Sequence, residues 1–331
     1  MTADYSRKAD STINGFEQMG PAGPLERLRL YLSLLRYSNA HNLDFAREHH
    51  AFFERMLGHL AARGIDPRGL RVLDVGCGKA YWLTLLLHSY GARVTGIDSE
   101  AVEPRRSLRK YLRISRQNGP ERALRTLVWD QFYARPYYRE LAACSSIPLR
   151  FDDVDTLSMA VTELDFADDT FDLIVSHEVF EHIPDIPGAI RALHRVMKPE
   201  GLTYIYVHNY ASLSGGHHIA WKYPDTEPSS EVPPWDHLRE NRFPNIPSWI
   251  NRLREADYRK AFADCFEVLD RIPSGHEGAA LLTPEIRAEL ADYSEEELLT
   301  KGFVVVAKPK GKVATAHRET AAAPHRKRLE A

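Results

Sequence analysis

Leucines at 25, 28, 32 and 35 share one stripe at helical spacing, which predicts a helix over residues 25–37. A second helical pattern runs over 43–62, with Phe45, Phe52, Met56 and Leu60 inward and Gly64 beyond its end. Short apolar runs then predict strands at 70–75, 92–97, near 157–162, 171–175 and 202–207. Further strands are expected at 266–272 and 303–307. Helical patterns fall between most of them: after Ala80, from Pro187 with Ile190, Leu193 and Met197 inward, and around Trp249, Ile250 and Leu253. Ser294 and Glu297 have capping-box spacing, with Gly302 closing that short helix. Strands alternating with helices predict an α/β fold: a doubly wound, seven-stranded, mostly parallel sheet of Rossmann-like form.

Two stretches exceed what a crossover needs. Roughly sixty residues separate Asp98 from the next core strand, and a long proline-rich loop containing Gly215-Gly216-His217-His218 follows the strand at 202–207. In the first, residues 105–116 have helical spacing, with Leu108 and Leu112 as an apolar pair and Arg109, Arg113 and Arg116 on another face. Residues 127–141 add Trp129, Phe132, Tyr133, Tyr137 and Tyr138. The expected organisation is a helical arm and lid over 1–66 and a core domain over 67–310. Insertions at 104–150 and 211–260 would form a helical cap, and a basic, disordered tail would cover 311–331.

The sharpest chemical signal is Val72-Leu73-Asp74-Val75-Gly76-Cys77-Gly78-Lys79-Ala80, an apolar strand ending in a glycine turn at a helix start. Gly76 and Gly78 leave room for a ligand against backbone, and the helix start offers free N–H groups. Asp98, 24 residues after Asp74, ends the next strand where a ribose would be held by its hydroxyls. Asp74 so near the loop would repel a pyrophosphate but suits the amino group of a methionine. Downstream come Leu164-Asp-Phe-Ala-Asp-Asp-Thr-Phe-Asp-Leu-Ile-Val175, His177-Glu-Val-Phe-Glu-His182 and Val196-Met-Lys-Pro-Glu-Gly201.

This series resembles the class I S-adenosylmethionine (SAM)-dependent methyltransferases over about residues 70–210 and more loosely 260–308. The resemblance implies SAM as cofactor, with Asp74, Gly76, Cys77 and Gly78 at its methionine end and Asp98 on its ribose. The adenine would lie at the turn near 159–162, where Ala160-Val161 stands in place of the family's frequent Asp-Ala pair, so Val161 and Thr162 are expected to act through backbone. Ser176 and His177 would close the pocket from the next strand end. Cys77 reads as a packing residue rather than a nucleophile, since no activating neighbour stands beside it in sequence.

Glu178, Glu181 and His182 would share one face of a first helical turn, a platform for Mg²⁺ or another divalent metal. The pattern is similar to the metal-dependent O-methyltransferases of ubiquinone biosynthesis and of small-RNA 2′-hydroxyl methylation. In those, two acids and a histidine hold the metal, and a further histidine follows the fifth strand; His217, His218 and His237 are the matches, with His218 expected as ligand. A zinc-protease reading of His177-Glu178 fails because Glu181 stands where a second ligand histidine is required. His177, His217 and His218 are candidate general bases, with His208 as a further one. The expected reaction is O-methylation of a small molecule, glycan or lipid-linked intermediate; the insertion and the Gly-His-His loop resemble methyltransferases of bacterial surface-polysaccharide clusters. The alternatives are N- or C-methylation of a natural product, RNA methylation, or cofactor binding without catalysis. The Asn-Pro-Pro-Tyr type motif of amino-group DNA methyltransferases is absent, Ser176-His177-Glu178 standing there instead.

Composition adds little until charge is mapped. The 331 residues are 44% hydrophobic and 27% charged, as in a soluble globular protein. Three scattered cysteines, no signal-peptide core and no membrane-spanning run predict a cytoplasmic setting. The net charge of −3 argues against a general nucleic-acid binder. Residues 104–150, however, hold 11 Lys or Arg against 3 Asp or Glu, which suits an anionic acceptor or a peripheral membrane contact.

Overall fold

The computed structural model describes residues 24–100, 107–243 and 249–312. The elements run α1 (Pro24–Ala61), β1 (Arg71–Val75), α2 (Trp82–Tyr90), β2 (Arg93–Asp98), α3 (Leu108–Asn118), α4 (Pro120–Val128), a π-helical turn (Trp129–Tyr133) and α5 (Ala134–Cys144). They continue with β3 (Asp155–Ser158), β4 (Phe171–His177), α6 (Ile186–Val196), β5 (Met197–His208), α7 (Glu255–Cys265), β6 (Phe266–His276), α8 (Pro284–Glu289), α9 (Glu295–Leu299) and β7 (Thr300–Pro309).

The seven strands form one sheet in the order β3-β2-β1-β4-β5-β7-β6. The first five are mutually parallel, while β7 runs antiparallel to both β5 and β6. Both faces are covered. One face, with Val75, Ile174 and Ile205, packs under α6 and α7 through Ile190, Leu193 and Phe262. The other, with Val72, Val175, Tyr204 and Tyr206, packs under α1, α2 and α5 through Phe52, Met56, Leu86 and Tyr137. The strand order reverses between β1 and β4, and their carboxyl ends open the crevice where ligands of such sheets bind.

Several expectations are corrected. The two N-terminal helices are a single one, α1, because residues 38–42 contain neither Gly nor Pro to break it. Residues 249–254 are not helical; they form a strap in which buried Asn251 donates to the carbonyls of Phe180 and Ile183, and α7 starts only at Glu255. Gly302 lies within β7, under the Tyr206 ring, while the capping box of Ser294 and Glu297 is formed. The helical insertion inverts its expected polarity: Lys110 and Ile114 are the buried residues of α3, and Leu108 and Leu112 face outward. The ammonium of Lys110 is paired with Asp130 at 2.7 Å, and the Tyr111 hydroxyl donates to the same carboxylate. Residues 1–23 of the arm expected over 1–66, and residues 313–331 of the tail expected over 311–331, lie outside the described residues.

The insertion is tied back to the core. Tyr138 donates its hydroxyl to the carbonyl of Ala80 at 2.8 Å, and Asn42 of α1 donates to the carbonyl of Tyr133. Tyr138→Phe should lower stability by about 1 kcal/mol, read from urea unfolding, since it leaves a half-buried carbonyl without its donor.

Candidate active site

The glycine turn after β1 is built as its spacing implies. Gly76 and Gly78 hold φ of 77° and 60°. The N–H groups of Gly76 and Cys77 both donate to the carbonyl of Ile97, locking the turn against β2. Asp74 is buried and accepts from the Thr84 hydroxyl at 2.6 Å; burial pushes its pKa up to about 7. Asp98 accepts from the N–H of Gly78 at 2.9 Å and of Glu100 at 2.8 Å, and burial raises its pKa as well. Cys77 is buried, and burial drives its thiol well above the usual range, consistent with a packing role. Ser176 is buried and donates to the carbonyl of Val75, stitching β4 to the turn. Val161 and Thr162 lie in the turn after β3, beside the end of β2, where the N–H of Met159 donates to the carbonyl of Asp98. Lys79 sits over the Trp129 ring at 4.9 Å; burial, helped by Arg122 and Arg125, lowers it to about 7.

Beyond β4 the chain does not enter an α-helix. Glu178 has φ of 54°, and Phe180–His182 form a single 3-10 turn. The expected one-face platform of Glu178, Glu181 and His182 is therefore not made by helical spacing. Instead Glu181 points inward, where one of its carboxylate oxygens lies within 4.8 Å of a nitrogen of His208 and of His217. His182 borders this group, its ring 5.0 Å from that of His217. Its Nδ1 lies 2.7 Å from the Trp249 carbonyl and so carries the proton, leaving Nε2 as a free acceptor. Neither buried oxygen of Glu181 makes a well-formed hydrogen bond; the backbone N–H groups of Glu181 and His208 only lean on the carboxylate, and burial with the neighbouring Glu178 raises its pKa well above the usual range. Burial pushes Glu178 up too, yet Lys222, His177, His208 and Lys301 together hold it well below the carboxylate range.

The loop after β5 delivers His217 because Gly215 and Gly216 fold tightly. A Cβ on Gly215 would lie 2.2 Å from the carbonyl oxygen of Asn209, and one on Gly216 would lie 2.5 Å from the His237 ring. His218 points elsewhere: its Nδ1 accepts from the N–H of Ala220, and it is not part of the cluster. His208, at the end of β5, joins the cluster while its Nε2 pairs with the Ser214 hydroxyl at 2.8 Å. His237 packs under Gly216 and donates through Nε2 to the carbonyl of Tyr210.

A cavity of about 820 Å³ opens between α1, the ends of β4 and β5, and the insertion. Phe52, Trp129, Tyr204 and Tyr206 give it aromatic walls, and His177 and Glu178 reach into it. His177 stacks on Tyr206 at 4.8 Å and meets Phe52 edge-on at 4.3 Å; burial lowers its pKa to about 4. Arg55, Lys222 and Lys301, with Lys79 only part-charged, line the same cavity against Glu48 and Glu178, so its field favours an anion.

A sequence profile described as a methyltransferase domain matches residues 45–265, two-thirds of the chain. The chain belongs to this methyltransferase family. It is a class I SAM-dependent methyltransferase by that membership, and its sheet has the form expected. Curated relatives include the ubiquinone biosynthesis O-methyltransferases of Xanthomonas oryzae, 28% identical over 156 residues, and of Methylocella silvestris, 29% identical over 136 residues. Those matches cover 47% and 41% of this methyltransferase, and it spans half or less of each relative (50% and 39%). Solved structures similar to it include a Pyrococcus horikoshii protein (TM-score 0.42, 17% identity, 78% of this chain and 91% of that one). A SAM-dependent methyltransferase of Mesorhizobium loti is similar too (TM-score 0.41, 18% identity, 76% of this chain and 96% of that one). Among the described residues, no helix of this methyltransferase is long and apolar enough to cross a membrane.

The buried histidines make the fold of this methyltransferase sensitive to acid. Burial lowers His49 and His208 to about 3 and His177 and His237 to about 4. Below the unfolded value near 6.5 the unfolded chain takes up protons that the folded one refuses, so stability falls as pH drops towards 4. Asp74, Asp98 and Glu181, raised by burial, oppose this by protonating in the fold first. A net uptake of one or two protons gives a loss of about 1–3 kcal/mol per pH unit. Urea unfolding at pH 7 and pH 5 checks the sign; equal stability at both would contradict it.

Proposed function

We propose that the protein transfers the methyl group of SAM to a hydroxyl oxygen of a small molecule, glycan or lipid-linked intermediate, and that the acceptor carries negative charge. The observation that carries the reading is the buried carboxylate of Glu181, without a well-formed hydrogen bond, among His208 and His217, one turn from the aromatic, cation-lined cavity. The weak likeness to O-methyltransferases of ubiquinone biosynthesis points the same way. The donor set suits a divalent cation: Glu181, His208 and His217 would hold it, with His182 Nε2 and Glu178 at its edge. Bound there, such an ion would lower the pKa of an acceptor hydroxyl.

The chain's own residues account for the rest. Asp98 would take the ribose hydroxyls and the Gly76–Gly78 backbone the methionine end, which would leave the methyl group for transfer to an acceptor in the adjoining cavity. The aromatic walls exclude water and orient a ring, while Lys222, Lys301 and Arg55 hold the acceptor's charge. His177 is neutral at physiological pH and faces the acceptor space. It can take the hydroxyl proton as the new O–C bond makes that oxygen acidic. Three unpaired cysteines suit a reducing, cytoplasmic setting for the reaction.

Methyl-labelled SAM incubated with the protein and a cell extract, with and without EDTA, tests this. Label entering small-molecule, glycan or lipid fractions, lost with EDTA and regained with Mg²⁺, supports both hydroxyl and metal. Label in RNA overturns the small-molecule reading. EDTA-resistant label returns Glu178, Glu181 and His182 to a structural role.

A further inference from the structure

We propose that α3 and α4 dock the protein onto an anionic lipid bilayer. On a helix in water the leucines turn in and the cations turn out. In α3 the arrangement is reversed, with Lys110 only 4% exposed and neutralised by Asp130, while Leu108 is 82% and Leu112 58% exposed. These two leucines lie one turn apart, on the side away from Lys110 and Ile114. On α4 and the π-helical turn that follows it, Leu124 and Phe132 are exposed too, at 60% and 67%. Five of the eleven large exposed hydrophobics among the described residues fall between 108 and 132, so the apolar surface is concentrated on this insertion. Scattered singly they would need no explanation; four of them, Leu108, Leu112, Leu124 and Leu127, fall on the packed pair α3 and α4, which marks a contact surface.

Charge selects the occupant. Arg109, Arg113 and Arg116 recur at i, i+4 and i+7 beside the leucines, and all three are exposed. An apolar stripe flanked by arginines is what an interfacial helix presents to a bilayer: leucines enter the acyl boundary and guanidinium groups meet headgroup phosphates. A protein partner of mixed charge would not require so one-sided an excess, and a phosphate backbone alone would not use the leucines. The surface belongs to the same insertion that walls the acceptor cavity through Trp129 and Tyr137, so docking would hold that cavity beside the membrane.

Co-sedimentation of the full chain with phosphatidylglycerol-containing vesicles, and with pure phosphatidylcholine vesicles, tests the proposal. Binding is expected to the anionic vesicles, weaker at high salt. The pair Leu108→Ser with Leu112→Ser, and separately Arg109→Glu with Arg113→Glu, should each weaken it about tenfold. Unchanged thermal unfolding and SAM binding show that these variants remain folded. No binding by the native chain to anionic vesicles overturns the proposal, as does binding that neither pair of substitutions weakens. Self-association abolished by the leucine pair, without vesicle binding, would assign the face to a second copy instead. RNA binding lost with the arginine pair, without vesicle binding, would assign it to nucleic acid.

Discussion

Gly76→Ala should lower stability by about 2–4 kcal/mol and SAM affinity at least tenfold, whereas Gly78→Ala should cost about 1 kcal/mol. Both glycines occupy the left-handed region, so both alanines pay for that conformation. Only at Gly76 does the added methyl meet a neighbour, with Val179 carbons at 2.2 and 2.6 Å; at Gly78 the nearest atom is the Gly76 carbonyl oxygen at 4.0 Å. Val179 begins the turn that carries Glu181, so relieving the clash by moving it would disturb both halves of the site. Isothermal titration with SAM and urea unfolding of the two variants provide the comparison. Equal losses would mean that backbone conformation alone, and not the contact with Val179, makes glycine necessary at position 76. A Gly76→Ala protein that keeps native affinity would remove the turn from the methionine site.

The turn was legible in sequence because every determinant is local: an apolar strand, two glycines two apart and a helix start, with Asp98 brought alongside by the parallel pairing of β1 and β2. The inner strands were legible for the same reason, each carrying its own apolar run; the edge strand β3, Asp-Thr-Leu-Ser, carries none and lies at 155–158 rather than 157–162. The errors arise where a partner distant in sequence decides. Lys110 reads as a surface cation until Asp130, twenty residues on, neutralises it in the interior. The helix expected around Trp249 is an extended strap because Asn251 is spent on the carbonyls of Phe180 and Ile183. Glu178, Glu181 and His182 stand together in sequence, but a positive φ at Glu178 replaces the α-helix with a tight turn, and Glu181 groups with His208 and His217 instead. The choice of His217 over its neighbour His218 rests on how Gly215 and Gly216 pack against Asn209 and His237. No spacing rule contains that contact. The signal that did exist was the paired glycine itself, which implied a close approach without naming the residue approached.

Glu181→Gln should separate the stability of the protein from its activity. Without a cation, the native Glu181 is a buried carboxyl with neither oxygen in a well-formed hydrogen bond and Glu178 nearby, an arrangement that costs free energy. An amide of the same shape cannot ionise beside Glu178, so the metal-free variant should be at least as stable as the native chain. The opposite change is expected once a divalent cation is supplied. Native protein gains stability as the ion binds only the folded state, by about 2.7 kcal/mol at a hundredfold excess over Kd. The variant, having lost its carboxylate ligand, gains little. Methyl transfer in the variant should fall at least a hundredfold and should not recover with added Mg²⁺. Thermal unfolding with and without Mg²⁺, beside a labelled-SAM assay, gives both readings on one preparation. The metal assignment fails if Mg²⁺ leaves the native melting temperature unmoved, or if Glu181→Gln retains native turnover. A variant less stable than the native chain in EDTA would show instead that the carboxylate is satisfied within the fold. Glu181 would then serve the turn between β4 and α6 rather than the acceptor.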